Sequence, residues 1–211
     1  TTGTAGPAPE VARELARRLG VRVEIMPLAN AGAVIESVRS GKADIGFLAI
    51  EAERAIVVDF SDPYVNSGAA YAVRADAPFT RSADVDRPGV VIGAFAGQSP
   101  EVYVREHVKT AKVHSVPSPP LPPNAEIGRM LLEGRVQAFA ANRTRMEELV
   151  REVPGLRVLD DDYMVTGQAV VVPKGNTARR MALNRFLADV RKSGFVKSSI
   201  EKAKVAGVNV A

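Results

Sequence analysis

The sequence contains no cysteine and no tryptophan, and aromatic residues make up only 5% of its 211 positions. Without cysteine there are no disulfides, no thiolate catalysis and no Cys-ligated zinc, while either side of a cell membrane stays open. The shortage of aromatics counts against nucleic acid, whose binding calls for a basic stripe interleaved with stacking rings. Lys and Arg number 28 against 24 Asp and Glu, a net charge of +4, and the basic residues read as scattered rather than massed. No apolar run approaches the ~20 residues that a bilayer-spanning helix needs. His107 and His114 each lack a second ligand-type residue at metal spacing, so neither a metal site nor a cofactor is expected. A Gly-rich phosphate loop and a G-x-S-x-G nucleophile turn are also missing. The chain opens at Thr1 with no visible secretory leader, as a processed secreted protein or an excised domain would.

What is present is an ordinary globular composition, 46% hydrophobic and 25% charged, in a length that suits one large domain or two small ones. Val11, Leu15 and Leu19 recur at a spacing of four behind Pro7 and Pro9, and Gly20 follows, which predicts a helix over 9–19. Val21, Val23 and Ile25 alternate as a half-buried strand would. A helix over 31–40 closed by Gly41, a strand over 43–48 and a strand over 68–73 follow, with a turn at Asp62-Pro63. From Val90 the pattern restarts: strand 90–95, a turn at Gly97-Gln98, helix 100–108 and strand 112–116. After a Pro-rich loop over 117–123 come helix 125–133, strand 136–140, helix 144–150, strand 167–173 and a long helix over 177–193. Such alternation implies an α/β protein with parallel strands, and the two successive units suggest two lobes.

Three segments carry a family resemblance: Glu51-Ala-Glu-Arg54-Ala-Ile-Val-Val-Asp59-Phe60-Ser61-Asp62-Pro63-Tyr64, with Val34 to Asp44 before it and Leu132 to Ala138 after it. In order and spacing they resemble the extracellular solute-binding proteins, family 3, the ligand-binding components of bacterial amino-acid ABC transporters. The resemblance covers about Gly6 to Ala203. It implies the type 2 periplasmic-binding fold, with lobe 1 over 1–72 plus 166–211, lobe 2 over 73–165, and two hinge strands near 69–74 and 160–168. It also implies that the first strand of lobe 1 precedes Gly6, where Thr1 to Ala5 is too short to supply it.

The functional expectations follow from the same resemblance. Arg54 takes the place of the arginine that clamps a ligand carboxylate; read by itself, it is equally an i, i+3 ion-pair partner of Glu51. Ser99, beside Gln98, stands where the family completes the carboxylate site from lobe 2, but Ser99 as N-cap ahead of Pro100 at N1 explains the same residues. Asn142 occupies the place of an aspartate that binds the α-ammonium, and Ala49 and Glu51 replace a Ser and a Thr. Glu51 then either receives the ammonium or neutralises Arg54. Arg143 reads as an exposed helix-start arginine. Phe47, Tyr64 and Phe95 are candidates for ligand walls or core.

The resemblance implies a receptor for a small carboxylate-bearing ligand, an amino acid or related organic acid. Such a receptor delivers its ligand by lobe closure to the membrane permease of an ABC transporter, in the periplasm or outside the cell, without catalysis. The alternatives are a cyclic-carboxylate dehydratase on the same fold, with Glu51 as the acid, or the ligand-sensing domain of a larger receptor.

Overall fold

A computed structural model describes residues 5–211. In chain order its elements are α1 (Pro7–Leu19), α2 (Ala31–Arg39), β1 (Gly46–Ala49), α3 (Ala52–Ala55), β2 (Val58–Arg74), β3 (Val91–Phe95), α4 (Ser99–His107), β4 (Lys112–Val116) and α5 (Asn124–Leu132). Then come β5 (Ala138–Asn142), α6 (Arg143–Glu152), β6 (Leu156–Val158), β7 (Met164–Pro173), α7 (Thr177–Lys192), α8 (Phe195–Ala203) and β8 (Val208–Val210). The chain divides into two compact units. Unit 1 comprises the N-terminal part through Asn66 and Thr166–Ala211; unit 2 is Ser67–Val165. β2 and β7 each pass from one unit into the other.

In unit 1, β1 and β7 pair antiparallel from Gly46↔Val171 to Ala49↔Gln168, and β7 lies between β1 and β2 with β8 also on β2. Because side chains alternate across a strand, β7 serves both faces. Val170 and Val172 join Val11, Leu183, Leu187 and Val196 under α1, α7 and α8, whereas Val171 joins Leu48, Val58 and Val38 of α2. α7 earns its place through Leu183, Phe186, Leu187 and Val190, spaced i, i+3, i+4, i+7 and all buried. Gly20 ends α1 in the left-handed region at φ 67°, its N–H returning to the Ala16 and Arg17 carbonyls.

In unit 2, β3 pairs parallel with β4 and with β5, and β5 pairs antiparallel with β2 from Ala69↔Asn142 to Val73↔Ala138. β6 pairs antiparallel with β2. Phe139 points toward α5 and α6, packing with Ile127, Leu131, Met146 and Leu149, while Ala138 and Ala140 face Tyr71, Ile92, Val104 and Leu159. Gly93 is required beside Phe139: a Cβ there would lie 2.6 Å from the ring.

Several expectations need correction. Residues 21–25 form no strand; Val21 and Val23 are 59% and 42% exposed. Alternation makes a strand only where a neighbour supplies ladder partners, and among the described residues none does; the Val21 N–H instead closes α1 on Ala16 O. The expected strand over 68–73 is the second half of the 17-residue β2, which runs through Asp62-Pro63 without turning. Proline's fixed φ suits an extended chain, and the Asp62 N–H is taken by the Asn184 side chain at 2.9 Å. The strand expected over 136–140 starts at Ala138 because the Gln137 side chain and backbone are both bonded to the Val91 backbone. α3, β6, α8 and β8 had no counterpart in the sequence reading. The expectation placed on Thr1 to Ala5 falls mostly on residues 1–4, outside the described residues.

Candidate functional site

The segment from Ala49 to Arg54 leaves β1, makes one helical turn as α3 and enters β2. Glu51 is the N-cap residue of α3, but its side chain makes no cap bond; it turns to Arg54 instead, with Oε2 2.9 Å from Nε. Arg54 Nη1 donates to the Ala49 carbonyl at 3.2 Å. The Arg54 side chain is 13% exposed and that of Glu51 24%. Burial pushes the guanidinium pKa down, and the carboxylates of Glu51 and Glu53 push it back up. Ala49, Glu51 and Arg54 therefore form one cluster: a cation in a half-dry place, with Nε and Nη1 engaged by its own segment. Phe47, two residues back on the strand face of Ala49, lies against the α1/α7/α8 core with its ring edge-on to buried Tyr64.

The rest of the run is framework. Asp59 accepts from the Gly175 N–H at 2.8 Å and meets Lys174 Nζ at 3.1 Å, and Lys174, ahead of Gly175, is the main reason its pKa falls. Ser61 Oγ accepts the buried Val170 N–H at 2.9 Å and donates to the Asp62 carbonyl. These residues fasten β2 to β7 and to the start of α7. Nothing in the spacing of Asp59-Phe60-Ser61-Asp62 announced this, because the partners lie more than a hundred residues away.

In unit 2 the cap of α4 is one residue earlier than expected. Gln98 is the N-cap, Ser99 is N1 and Pro100 N2. Gln98 in extended backbone meets the cap's conformational requirement without a side-chain bond, and Pro fits anywhere in the first turn where an N–H has no intrahelical use. Glu101, 7% exposed, fills this helix start. Its carboxylate accepts from the Gly97 N–H at 3.2 Å, from Arg105 and from Ser115. Burial raises the Glu101 pKa, but the bonds from Ser115, Arg105 and Gly97 outweigh it and the net shift is downward. The Gln98 N–H goes to Phe95 O, the Glu101 N–H to Gln98 O, and Pro100 has none. A helix start favours anions through its amides and dipole; here the protein's own carboxylate occupies much of that advantage. An acid at N3 was a readable signal for this role.

Asn142 ends β5, exposed, as the N-cap of α6 without a side-chain cap bond. Arg143 is not the exposed residue expected. It is 13% exposed and ties α6 to the 159–162 turn, bonding Asp162 at 2.6 Å and the carbonyls of Leu159 and Asp160. Gly68 is shaped to this latch, since a Cβ there would overlap the Asp162 carboxylate. Phe95, 2% exposed, packs edge-on to Phe139 in the core. Among the described residues there is no group of three or more His, Asp or Glu suited to a metal ion.

Unit 1, threaded through two separate stretches of the chain, holds an arginine largely withdrawn from water beside a carboxylate, a place suited to an anionic group. The comparison with known proteins names the family. The chain matches the bacterial extracellular solute-binding proteins, family 3, over residues 1–203, and it belongs to that family. It is 28% identical over 202 residues to the L-cystine-binding protein TcyJ of Escherichia coli K12, covering 92% of this chain and 71% of the relative. The amino acid ABC transporter substrate-binding protein AbpA of Streptococcus pneumoniae, solved with L-arginine, is 26% identical with a TM-score of 0.74, covering 94% of this chain and 84% of that one. The ancestral amino acid-binding protein AncCDT-1, a precursor of cyclohexadienyl dehydratase, is 27% identical, also at a TM-score of 0.74 and with coverage of 94% and 84%. The fold is that of the type 2 periplasmic binding proteins, and the protein is a solute-binding receptor.

Proposed function

We propose that the protein captures a small carboxylate-bearing solute, an amino acid or a related organic acid, and hands it to the membrane permease of an ABC transporter in the periplasm or outside the cell. Arg54 is the carboxylate anchor. The observation that carries this reading is the state of Arg54: a cation largely withdrawn from water, held by Glu51 and the Ala49 carbonyl through Nε and Nη1. A guanidinium so oriented receives a carboxylate end-on through Nη1 and Nη2, a geometry that a lysine cannot reproduce. The ligands and names of the relatives, arginine and cystine among them, support the amino-acid class. Glu51 is the residue that sets the other half of the ligand. Its carboxylate adjoins Arg54, so a ligand ammonium finds a partner there, and a second ligand carboxylate is repelled. Ser99, Gln98 and Asn142 are proposed as further polar contacts of the ligand.

Isothermal titration calorimetry with L-arginine, L-cystine, L-glutamine and succinate tests this. Arg54→Ala is expected to weaken every bound ligand by about 10- to 150-fold, the worth of charge-assisted hydrogen bonds at about 1.5–3 kcal/mol. Glu51→Gln is expected to weaken ammonium-bearing ligands and to improve succinate. Unchanged affinity in a folded Arg54→Ala protein would remove the anchor from the site.

A further inference from the structure

The basic residues are not scattered, as the sequence at first suggested. Residues 166–211 hold nine Lys and Arg against two Asp and Glu, a net +7, while residues 1–66 hold seven against nine and residues 67–165 twelve against thirteen. The whole positive charge of the chain thus comes from the segment that forms α7 and α8. Helical periodicity then decides where it goes. In α7, Met181, Arg185, Ala188 and Lys192, spaced i, i+4, i+7 and i+11, form the stripe opposite buried Leu183, Phe186, Leu187 and Val190. Lys197 and Lys202 are exposed on α8, and Lys204 follows it.

Elsewhere several cations are neutralised locally. Arg13, Arg39 and Arg87 each meet an acid three residues away, and Arg105 meets one four away. On α7 and α8 acids are too few for that: among the described residues no ion pair engages Arg185, Lys192, Lys197, Lys202 or Lys204. Of the two acids in the segment, Asp189 is turned to Arg18 of α1 at 3.6 Å. Like charges concentrated in one exposed segment repel one another, and an external anion relieves that repulsion.

We propose that the outward face of α7 and α8 in unit 1 is a docking surface for an anionic lipid bilayer. Three features favour lipid over other polyanions. Met181, 53% exposed, opens the stripe one turn before Arg185, where an apolar side chain can enter the headgroup boundary. The cations are carried on long aliphatic stems suited to a diffuse surface of phosphates rather than to one fixed partner. No aromatic ring is exposed among them, so base stacking has no platform. Among the described residues no helix is long and apolar enough to cross a membrane, so the contact is peripheral.

Co-sedimentation with phosphatidylglycerol vesicles, against pure phosphatidylcholine vesicles, tests the proposal. The purified protein is expected to bind the anionic vesicles at 50 mM salt and to release at 500 mM, since screening shortens the reach of such charges. Each cation near an anionic surface contributes about a fivefold factor, so the triple variant Arg185→Glu, Lys192→Glu, Lys197→Glu is expected to lose at least tenfold in vesicle affinity with its melting temperature unchanged. A control of equal charge change in unit 2, Lys109→Glu, Lys112→Glu, Arg129→Glu, is expected to retain most of the binding. Arg54→Ala is expected to bind vesicles like the parent, which separates this surface from the ligand site. No binding to phosphatidylglycerol, or equal loss in both triple variants, overturns the proposal. So does patch-dependent binding to poly-glutamate without binding to vesicles, which would mark an acidic protein as the partner.

Discussion

Ser61→Ala is the most direct test of the claim that the run around Arg54 is mostly framework. Ser61 is 5% exposed, and its oxygen both accepts the Val170 N–H at 2.9 Å and donates to the Asp62 carbonyl at 2.8 Å. Val170 itself is 1% exposed. Deleting the oxygen strands a buried amide, and the space of one atom is too small to admit a water in its place. An unsatisfied buried donor costs about 1–3 kcal/mol. For a chain of this length that is a fall in Tm of roughly 2–12 °C. Urea unfolding and calorimetry measure it, and if the two units melt separately the loss belongs to the transition of unit 1. Calorimetric ligand binding at a temperature where the variant is folded is expected to match the parent. A stability change below about 0.5 kcal/mol would refute the assignment of Ser61 as a strand fastener. A tenfold loss of ligand affinity at unchanged stability would refute it in the opposite sense, by placing Ser61 in the ligand site.

Two further predictions concern unit 2. The Tyr163 hydroxyl is buried with no hydrogen-bond partner among the described residues, and burial, aided by Tyr71, Tyr103 and Asp162, lifts its pKa well above the usual value; Tyr163→Phe is expected to leave stability unchanged or raise it by up to about 1 kcal/mol, and a loss in urea unfolding would show that the hydroxyl has a role. Glu101 has a native pKa below its free value of 4.5, so its charged form adds stability above that pH, and the contribution disappears as pH falls through the native value. Glu101→Gln is therefore expected to be less stable than the parent at pH 7 and to converge on it as pH falls below 4.5; parallel curves through that fall would contradict the assignment.

How much of this was legible in sequence depended on how local each determinant is. α1 could be read from its apolar spacing and Gly20, and α7 from its length and periodicity, because both signals lie within the element. Residues 21–25 misled for the opposite reason: Val21, Val23 and Ile25 carry the alternation of a strand, but a strand is a property of two segments. Asp62-Pro63 read as a turn because the sequence does not show Asn184 waiting to take the Asp62 N–H. In the candidate site, the Glu51–Arg54 pair was visible as an i, i+3 spacing. The buried role of Arg143 was not, since its partner Asp162 lies nineteen residues on. The concentration of charge on α7 and α8 needed only counting by segment.

The threading of unit 1 has a consequence for the newborn chain. Val11 and Tyr64 belong to the same core as Val170, Leu183 and Leu187, yet the whole of unit 2 is synthesised between them. At roughly 5–20 residues per second, the stretch ending at Asn66 leaves the ribosome on the order of 5–20 s before the strand and helix that cover it. Unit 2, by contrast, has every one of its elements as soon as Val165 has emerged. Unit 2 can therefore fold while the stretch through Asn66 still waits for the strand and helix that complete its core.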